Sequence, residues 1–179
     1  LRVLRVTNEA TGLSNKPVFF LVANVHGREL ITPETALVFT QYLLENYTVD
    51  PDVTWLLDAH IVYVLASANP DGHVKNEPGQ PWAYWRKNTH PYGSCSPTTY
   101  GVDLNRNSSF HWGGTGSSPD PCNDVYRGPS PASEKETARL QNFAASIFPD
   151  QRGPNDADPA PDDATGVFIS LHSYSNLVL

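Results

Sequence analysis

Two histidines and one glutamate are the residues whose types and spacing most directly suggest chemistry. His26 and Glu29 stand three positions apart in the segment His-Gly-Arg-Glu, and His172 lies far along the chain. Two imidazoles and a carboxylate make a ligand set of the catalytic zinc type, which leaves one coordination position free. Taken alone the HxxE spacing is a weak signal, because an imidazole in a surface loop fits it equally well.

Several other polar residues have two interpretations on sequence grounds. Arginine binds a carboxylate through paired hydrogen bonds, so Arg86 and Arg106 could recognise an anion. Equally, Arg86 lies in a basic Arg-Lys-Asn run that a solvated face would contain, and Asn105-Arg106 would suit an ordinary turn. Asp103 and Asp71 are interpreted as structural carboxylates that accept hydrogen bonds from loop amides or orient a ligand histidine. The residues by themselves leave these alternatives open.

Hydrophobic patterns indicate the elements that must position these side chains. We predict strands over 1–7, 17–25, 61–66 and 166–171, and helices over 32–47 and 133–148. Alternating strands and helices indicate an α/β sheet with helices packed on it. Three strands run abruptly into polar segments: His26 to Glu29, Asn69 to Gly72 and His172 to Ser175. The carboxyl ends of strands are where open α/β sheets bind ligands, which favours a site at this edge.

Local signals also predict where the helices begin and where the chain turns. Thr32-Pro33-Glu34 has the composition of an N-cap, a first helical residue and a first-turn acid. Ser133 and Glu136 form a capping-box pattern, and Glu34, Glu134 and Glu136 are interpreted as helix-start residues. Asn69-Pro70-Asp71-Gly72 predicts a turn, and the region from 72 to 131 reads as a long irregular segment of functional type.

Composition bounds the class of protein. A chain of 179 residues with 39% hydrophobic residues suits a single globular domain over 1–179. The net charge of −7 argues against nucleic-acid binding, and no apolar run reaches the length of a membrane span. The first residue is Leu, and we expect the chain to be a piece of a longer product. Cys95 and Cys122 lie in loop-like surroundings, which favours one disulfide and hence export over two free thiols.

Six motifs in a fixed order give these weak signals a common context. They are HGRE, NPDG, WRKN, GVDLNRN, YRGPSPASEKET and SLHSYS, beginning at positions 26, 69, 85, 101, 126 and 170. On these motifs the sequence resembles the zinc metallocarboxypeptidases of the funnelin type, the family of pancreatic carboxypeptidases A and B. The resemblance extends over essentially the whole chain. It implies a mixed, mostly parallel central sheet with helices on both faces, truncated before the last strands.

The resemblance also implies a role for each matching position. His26, Glu29 and His172 correspond to the three ligands of a single Zn²⁺, and Arg86 to the arginine that polarises the scissile carbonyl. Cys95 and Cys122 fall where pancreatic members carry a disulfide. The residues that would recognise the substrate fall into two groups: Arg28, Asn105 and Arg106 would bind the C-terminal carboxylate of a peptide, and Ser173 and Tyr174 would line the cleft.

The implied function is removal of the C-terminal residue from peptides and proteins through a zinc-activated water. The sequence departs from the family because the general-base glutamate is expected beyond Leu179, so this chain alone is expected to be inactive or nearly so. Three alternatives stay open: a non-catalytic binding module with the same cleft, an aspartoacylase-like amidohydrolase of the same fold, and a metal-free structural domain. We expect a secreted protein that acts on peptide C-termini and is monomeric when complete.

Overall fold

In the part of the chain that the structure describes, four strands form the central sheet. The computed structural model describes residues 1–78 and 84–174. The strands are β1 (Leu4–Val6), β2 (Val18–Val22), β3 (Ile61–Leu65) and β4 (Val167–Ser170), and their spatial order is β1-β3-β2-β4. β1 runs antiparallel to β3, whereas β2 runs parallel to both β3 and β4. The predicted mixed, mostly parallel sheet is therefore confirmed.

Helices cover both faces of this sheet, as the sequence predicts. Helices α1 (Ile31–Asn46) and α2 (Pro51–Ala59) pack on one face, where Leu43 and Leu57 join Val62 and Val64 in a buried cluster. Helix α4 (Lys135–Ile147) packs on the other face, where Phe143 contacts the ring of Phe20 edge-on. A parallel strand buried on both faces reads as a continuous apolar run, which explains the sequence of β2.

The strand β4 lies at the edge of the sheet and keeps much of its apolar surface open. Val167, Phe168 and Ile169 are 50%, 48% and 39% exposed, although the ring of Phe168 also contacts Phe20. An edge strand of this kind presents unpaired backbone groups with which a further strand could pair. The strand nevertheless pairs in register with β2, Ser170 lying beside Val22.

Three local predictions prove wrong in detail. Helix α1 begins at Ile31, and Thr32 does not cap it, because its Oγ1 donates to the carbonyl of Glu29 and accepts from the amide of Asn24. Helix α4 begins at Lys135 without a side-chain cap, so the capping box is not formed. The segment beginning at Asn69 forms a short helix, α3 (Pro70–Val74), which the Asn69 side chain caps at Gly72 N.

The long segment between α3 and α4 is mostly irregular, as predicted, and a disulfide joins its parts. Cys95 and Cys122 are bonded, with their Cα atoms 5.2 Å apart, which confirms the predicted pair. A single 3₁₀ turn, Leu104–Arg106, is the longest helical stretch that the structure describes there. Among the described residues, no helix has both the length and the apolar character required to cross a bilayer.

Candidate metal centre and substrate cleft

The two predicted ligand histidines leave neighbouring strands at the same edge of the sheet. His26 follows β2, Glu29 precedes α1, and His172 follows β4. Because β2 and β4 are parallel neighbours, their carboxyl ends lie side by side. The topology therefore brings together residues that stand 146 positions apart, and the ring centroids of His26 and His172 are 4.9 Å apart.

The facing atoms of the three residues form a compact triangle. Nδ1 of His26 lies 2.8 Å from Glu29 Oε1 and 3.2 Å from Nδ1 of His172, whose Nδ1 lies 3.1 Å from Glu29 Oε2. Bonds of 2.0–2.2 Å to a tetrahedral Zn²⁺ would set such atoms about 3.4 Å apart. A small outward movement of each ligand atom would admit the ion. Two imidazole nitrogens and a carboxylate are also the donor types that Zn²⁺ prefers, so the residues fit this metal.

Burial and hydrogen bonding set the charge of the centre. Burial alone would raise the pKa of Glu29, but hydrogen bonds from His172 and His26 outweigh it and hold this pKa at about 2. Burial alone would lower the pKa of His26, but hydrogen bonds to Asp103 and Glu29 outweigh it and leave the pKa raised. The side chains of His26 and Glu29 are 4% and 7% exposed, whereas that of His172 is 35% exposed. Solvent therefore reaches the centre from the side of His172.

Asp103 connects the candidate metal centre to Arg86. Its Oδ1 lies 3.2 Å from Nε2 of His26, the ring nitrogen that points away from the triangle. Its Oδ2 accepts from Nε and Nη2 of Arg86, at 3.1 and 2.8 Å. Burial would raise the pKa of Asp103, but His26 and Arg86 outweigh this effect and lower it. A carboxylate in this position would orient the ring of a metal-bound histidine, which is one of the two roles predicted for Asp103.

Backbone contacts join the segment of His26 to that of Arg86. Gly27 N donates to Arg86 O at 3.0 Å, and the Asn69 side chain donates to Val25 O and to Lys87 O. Gly27 also lies against Gly72, since a Cβ on Gly27 would lie 2.4 Å from the Gly72 carbonyl carbon and oxygen. The Asn-Pro-Asp-Gly motif therefore holds the backbone segments of His26 and Arg86 together, and we call this set of contacts the backbone joint. Asp71, in contrast, is exposed in the first turn of α3.

Three residues are predicted to bind the substrate carboxylate, and we call them the carboxylate clamp: Arg28, Asn105 and Arg106. The structure places them at or near the surface. Arg28 and Asn105 are exposed, and the Asn105 amide donates to Asp103 Oδ1 at 2.9 Å. Arg106 is half-buried, and its guanidinium donates to Gly116 O and Asn105 O, both at 2.9 Å. Asn105, predicted to bind the substrate carboxylate, is thus connected to His26 through the single carboxylate of Asp103.

The two cleft residues that follow His172 differ in exposure. Ser173 is half-buried, whereas Tyr174 is 98% exposed and packs against no described neighbour. Trp82, interpreted from the sequence as part of the core or cleft wall, lies outside the described residues.

Two buried charged residues near the site were not recognised from the sequence. Lys87 is 3% exposed, and its ammonium donates to the carbonyl oxygens of Thr99, Pro121 and Asn123. Burial lowers the pKa of Lys87. Glu134 is 1% exposed; it stands at the start of α4, as predicted, but its side chain makes no capping hydrogen bond. Both residues lie in motifs named in the sequence analysis, Lys87 in Trp-Arg-Lys-Asn and Glu134 in YRGPSPASEKET, but neither motif indicated that the charge is buried.

Comparisons with known proteins place this geometry in a family. The profile of the zinc carboxypeptidases, Peptidase_M14, matches residues 1–179. Carboxypeptidase A2 of Mus musculus is 36% identical over 178 residues, which are 99% of this chain and 38% of the mouse protein. Zinc carboxypeptidase A 1 of Drosophila melanogaster is 36% identical over 164 residues, or 92% of this chain and 33% of the fly protein. The chain thus spans well under half the length of these relatives.

Solved structures show the same fold. Thrombin activatable fibrinolysis inhibitor superposes with a TM-score of 0.76 at 28% identity, over 97% of this chain and 38% of that one. Carboxypeptidase A from Helicoverpa armigera superposes with a TM-score of 0.68 at 32% identity, over 81% and 34% of the two chains. The sheet order and the helices on its two faces are therefore those of a carboxypeptidase-like fold.

Proposed function

Because the chain belongs to the zinc carboxypeptidase family, we propose that it forms the metal-binding and carboxylate-binding part of a zinc-dependent exopeptidase. The exopeptidase removes the C-terminal residue of a peptide or protein. The observation that carries the proposal is the triangle of His26, Glu29 and His172, with Asp103 joining it to Arg86. Zinc in this triangle would act as a Lewis acid on a peptide carbonyl and lower the pKa of water.

Arg86 and Asp103, beside the triangle, are placed to stabilise negative charge that develops on the substrate and to orient His26. Arg86 turns Nε and Nη2 toward Asp103, which leaves Nη1 for a substrate oxygen that gains negative charge. A preoriented guanidinium stabilises such charge without reorganisation. Asp103 accepts from Nε2 of His26, and so holds the ring with Nδ1 toward the metal position.

Exopeptidase specificity requires recognition of a free carboxylate. We assign this role to Arg28, Asn105 and Arg106, because two guanidinium groups and an amide can bind both carboxylate oxygens. Ser173 and Tyr174 are assigned to the cleft wall. The Cys95–Cys122 disulfide supports export, because disulfides persist in oxidising compartments.

None of the described carboxylates is assigned as the general base. Glu29 and Asp103 face the metal position and Arg86, Glu134 is enclosed by other donors, and Glu34 and Glu136 lie in the first turns of helices. We therefore propose that residues 1–179 alone bind zinc and a carboxylate but hydrolyse peptides slowly. The same observation favours the second candidate, a carboxypeptidase-like binding module without hydrolytic activity.

Two measurements test these functions separately. Zinc content is measured after preparation with excess metal, and a value below about 0.1 ion per chain contradicts the metal site. Release of the C-terminal residue from acyl-dipeptides with aromatic, aliphatic and basic ends is then measured with the longest translation product that contains residues 1–179. Zinc binding without release of any residue contradicts the exopeptidase and supports the binding module.

A further inference from the structure

We propose that Glu134 is a positioning residue for Arg86 and Asp103, and that it acts through Asn88. This inference rests on the proposed function for the significance of Arg86, but its geometry can be tested without any enzymatic assay. Glu134 lies at the start of α4, on a different segment from Arg86 and from Asp103. It is 1% exposed, and its carboxylate makes no hydrogen bond to the amides of its own helix.

Four donors surround the Glu134 carboxylate. Oε2 accepts from Asn88 Nδ2 at 2.7 Å and lies 3.0 Å from Nδ1 of His90. Oε1 accepts from the hydroxyls of Tyr92 and Ser133, at 3.1 and 2.8 Å. A buried carboxylate is costly unless such donors satisfy it. In Tyr92, burial and the neighbouring Glu134 charge raise the pKa to about 12, so its hydroxyl remains a donor throughout the neutral range.

Asn88 transmits the position of Glu134 to the site. With Nδ2 held by Glu134, the Asn88 side-chain oxygen faces Val102 N and accepts from it at 2.8 Å. The Asn88 amide also donates to Val102 O at 2.9 Å, so the two residues are joined twice. Gly101 permits this approach, because a Cβ there would lie 2.1 Å from Asn88 O.

Asn88 and Val102 stand close in sequence to Arg86 and Asp103. Arg86 is two positions before Asn88, and Asp103 directly follows Val102. The two bonds between Asn88 and Val102 therefore set the separation across which Arg86 reaches Asp103. Loss of the Glu134 carboxylate would leave Asn88 Nδ2 buried without its acceptor, and the side chain would rotate away from Val102.

Of the residues proposed to bind the substrate carboxylate, Asn105 donates its backbone amide to Asp103, whereas Arg106 is held by other contacts. Arg106 donates to Gly116 O and Asn105 O, neither of which passes through Glu134. The backbone amide of Glu134 donates to Asn107 Oδ1 at 3.1 Å, a bond that side-chain substitution leaves in place. A change at Glu134 should therefore affect the step that uses Arg86 more than the binding of the substrate carboxylate.

The first test observes Arg86 directly. In protein labelled with ¹⁵N-arginine, the Arg86 Nε–H signal is assigned by its loss in Arg86→Lys. Because Nε–H is bonded to Asp103 in a largely buried position, its hydrogen exchange should be slow in the wild type. In Glu134→Ala we expect exchange at least about tenfold faster. A natively folded Glu134→Ala protein with wild-type exchange at Arg86 overturns the proposal.

Control variants separate positioning from stability. In Glu134→Gln, the amide oxygen can still accept from Asn88 while its NH₂ faces the two hydroxyls, so Arg86 exchange should stay near wild type. Glu136→Ala is the matched control, because Glu136 lies 3.5 Å from Asn88 Nδ2, a longer and weaker contact than the 2.7 Å bond of Glu134. Should Glu134→Ala fail to fold, Glu134→Asp withdraws the carboxylate by one methylene. Unchanged Arg86 exchange in that folded variant overturns the proposal equally.

The second test measures peptide hydrolysis by the longest translation product that contains residues 1–179. Since misplacement of a catalytic group by about 1 Å can cost about 100-fold, we expect Glu134→Ala to lower kcat about tenfold and to change KM less than about twofold. A purely structural role would lower Tm and leave both constants of the folded enzyme unchanged, which overturns the proposal. If the wild type releases no C-terminal residue, the proposed function fails, and the Arg86 exchange measurement still decides the role of Glu134.

Discussion

His26 lies between two carboxylates, and this position determines its chemistry. Nδ1 faces Glu29 and Nε2 faces Asp103, so that both ring nitrogens have an anionic partner. The pKa of His26 is raised because these hydrogen bonds outweigh burial. A proton therefore competes with a metal for Nδ1, and the competition ends only when the pH exceeds the raised pKa. The same Asp103 bond that raises the pKa orients the ring toward the candidate metal position.

His172→Ala tests the ligand set at the scale of one side chain. Removal of the third ligand should weaken Zn²⁺ binding at least about a hundredfold, because loss of a mere supporting residue already costs 10–100-fold. The dissociation constant is measured by competition with a chromophoric chelator at neutral pH. His111→Ala is the control, since that imidazole is exposed and, within the described residues, lies only against the Phe110 ring and 3.6 Å from an Asp156 carboxylate oxygen. Equal affinity of His172→Ala and the wild type contradicts the assignment.

At the scale of elements, the ends of β2, β3 and β4 and the segment of Arg86 form one unit. Asn69 follows β3 and donates to the carbonyls of Val25 and Lys87. Gly27 donates to Arg86 O and packs against Gly72 at the start of α3. The strand ends therefore do more than present ligands: they also hold the loop that carries Arg86.

Gly27→Ala should separate these elements. Its Cβ would meet backbone atoms at 2.4 Å, which no side-chain rotation can relieve. We expect the free energy of unfolding to fall by about 3 kcal/mol, and Zn²⁺ affinity to fall as well, because His26 is adjacent. Urea denaturation measures the first effect. Gly114→Ala is the control, since its Cβ would meet a single atom, His111 O, at 3.2 Å. Equal losses in the two variants argue against the joint.

A second element-level contact links α1, α2 and the chain before β2 through Asp58. Tyr47 OH and Asn8 Nδ2 both donate to Asp58 Oδ1 at 2.8 Å. The hydrogen bond from Asn8, followed by that from Tyr47, lowers the pKa of Asp58. A carboxyl with a lowered folded pKa contributes stability above its unfolded pKa, about 3.9, and this contribution is lost as the pH falls through the folded value.

Tyr47→Phe should therefore change the acid dependence of stability. The variant removes one of the two donors, so it should be less stable than the wild type at pH 7, and the difference should shrink at pH 3. Urea midpoints of the metal-free proteins at both pH values provide the measurement. Tyr100→Phe is the control, because its hydroxyl has no hydrogen-bond partner within residues 1–78 and 84–174. A difference between variant and wild type that is constant with pH contradicts the linkage.

At the scale of the whole molecule, a long irregular segment supplies much of the candidate site. The region between α3 and α4 contains Arg86, Asp103 and Arg106, yet its described part has no strand of the sheet. The Cys95–Cys122 disulfide joins its parts, and so does Lys87, whose ammonium donates to the carbonyls of Thr99 and Pro121 within the loop closed by that bond. Stability of this segment and integrity of the site should therefore change together.

The double substitution Cys95→Ser and Cys122→Ser tests this dependence. For a closed loop with a sequence separation of 27, we expect a loss of about 3 kcal/mol in the free energy of unfolding. Urea denaturation is measured with and without a thiol reductant. The reductant should destabilise the wild type by a similar amount and leave the double variant unchanged. Equal stability of all four samples contradicts a stabilising role for the disulfide.

The sequence determined the features that depend on near neighbours in the chain. Apolar runs specified the strands, and the polar residues that follow them marked the site edge, because a strand period and its termination are local properties. The chemical types in the HGRE, WRKN and DLNRN motifs likewise indicated metal and carboxylate chemistry before any fold was known. The local caps failed at Thr32 and Ser133, since each side chain found other partners in the folded chain.

Only the tertiary structure decided which of these residues act together. Asp103 meets His26 across 77 positions, and Glu134 meets Asn88 across 46, distances in sequence at which no periodic pattern carries information. The burial of Glu134 was equally invisible, because a carboxylate near a helix start normally faces solvent. Such pairs form because the parallel strands, the backbone joint and the disulfide bring separate segments to one edge of the sheet. Water is largely excluded there, so a buried charge requires hydrogen bonds from the protein.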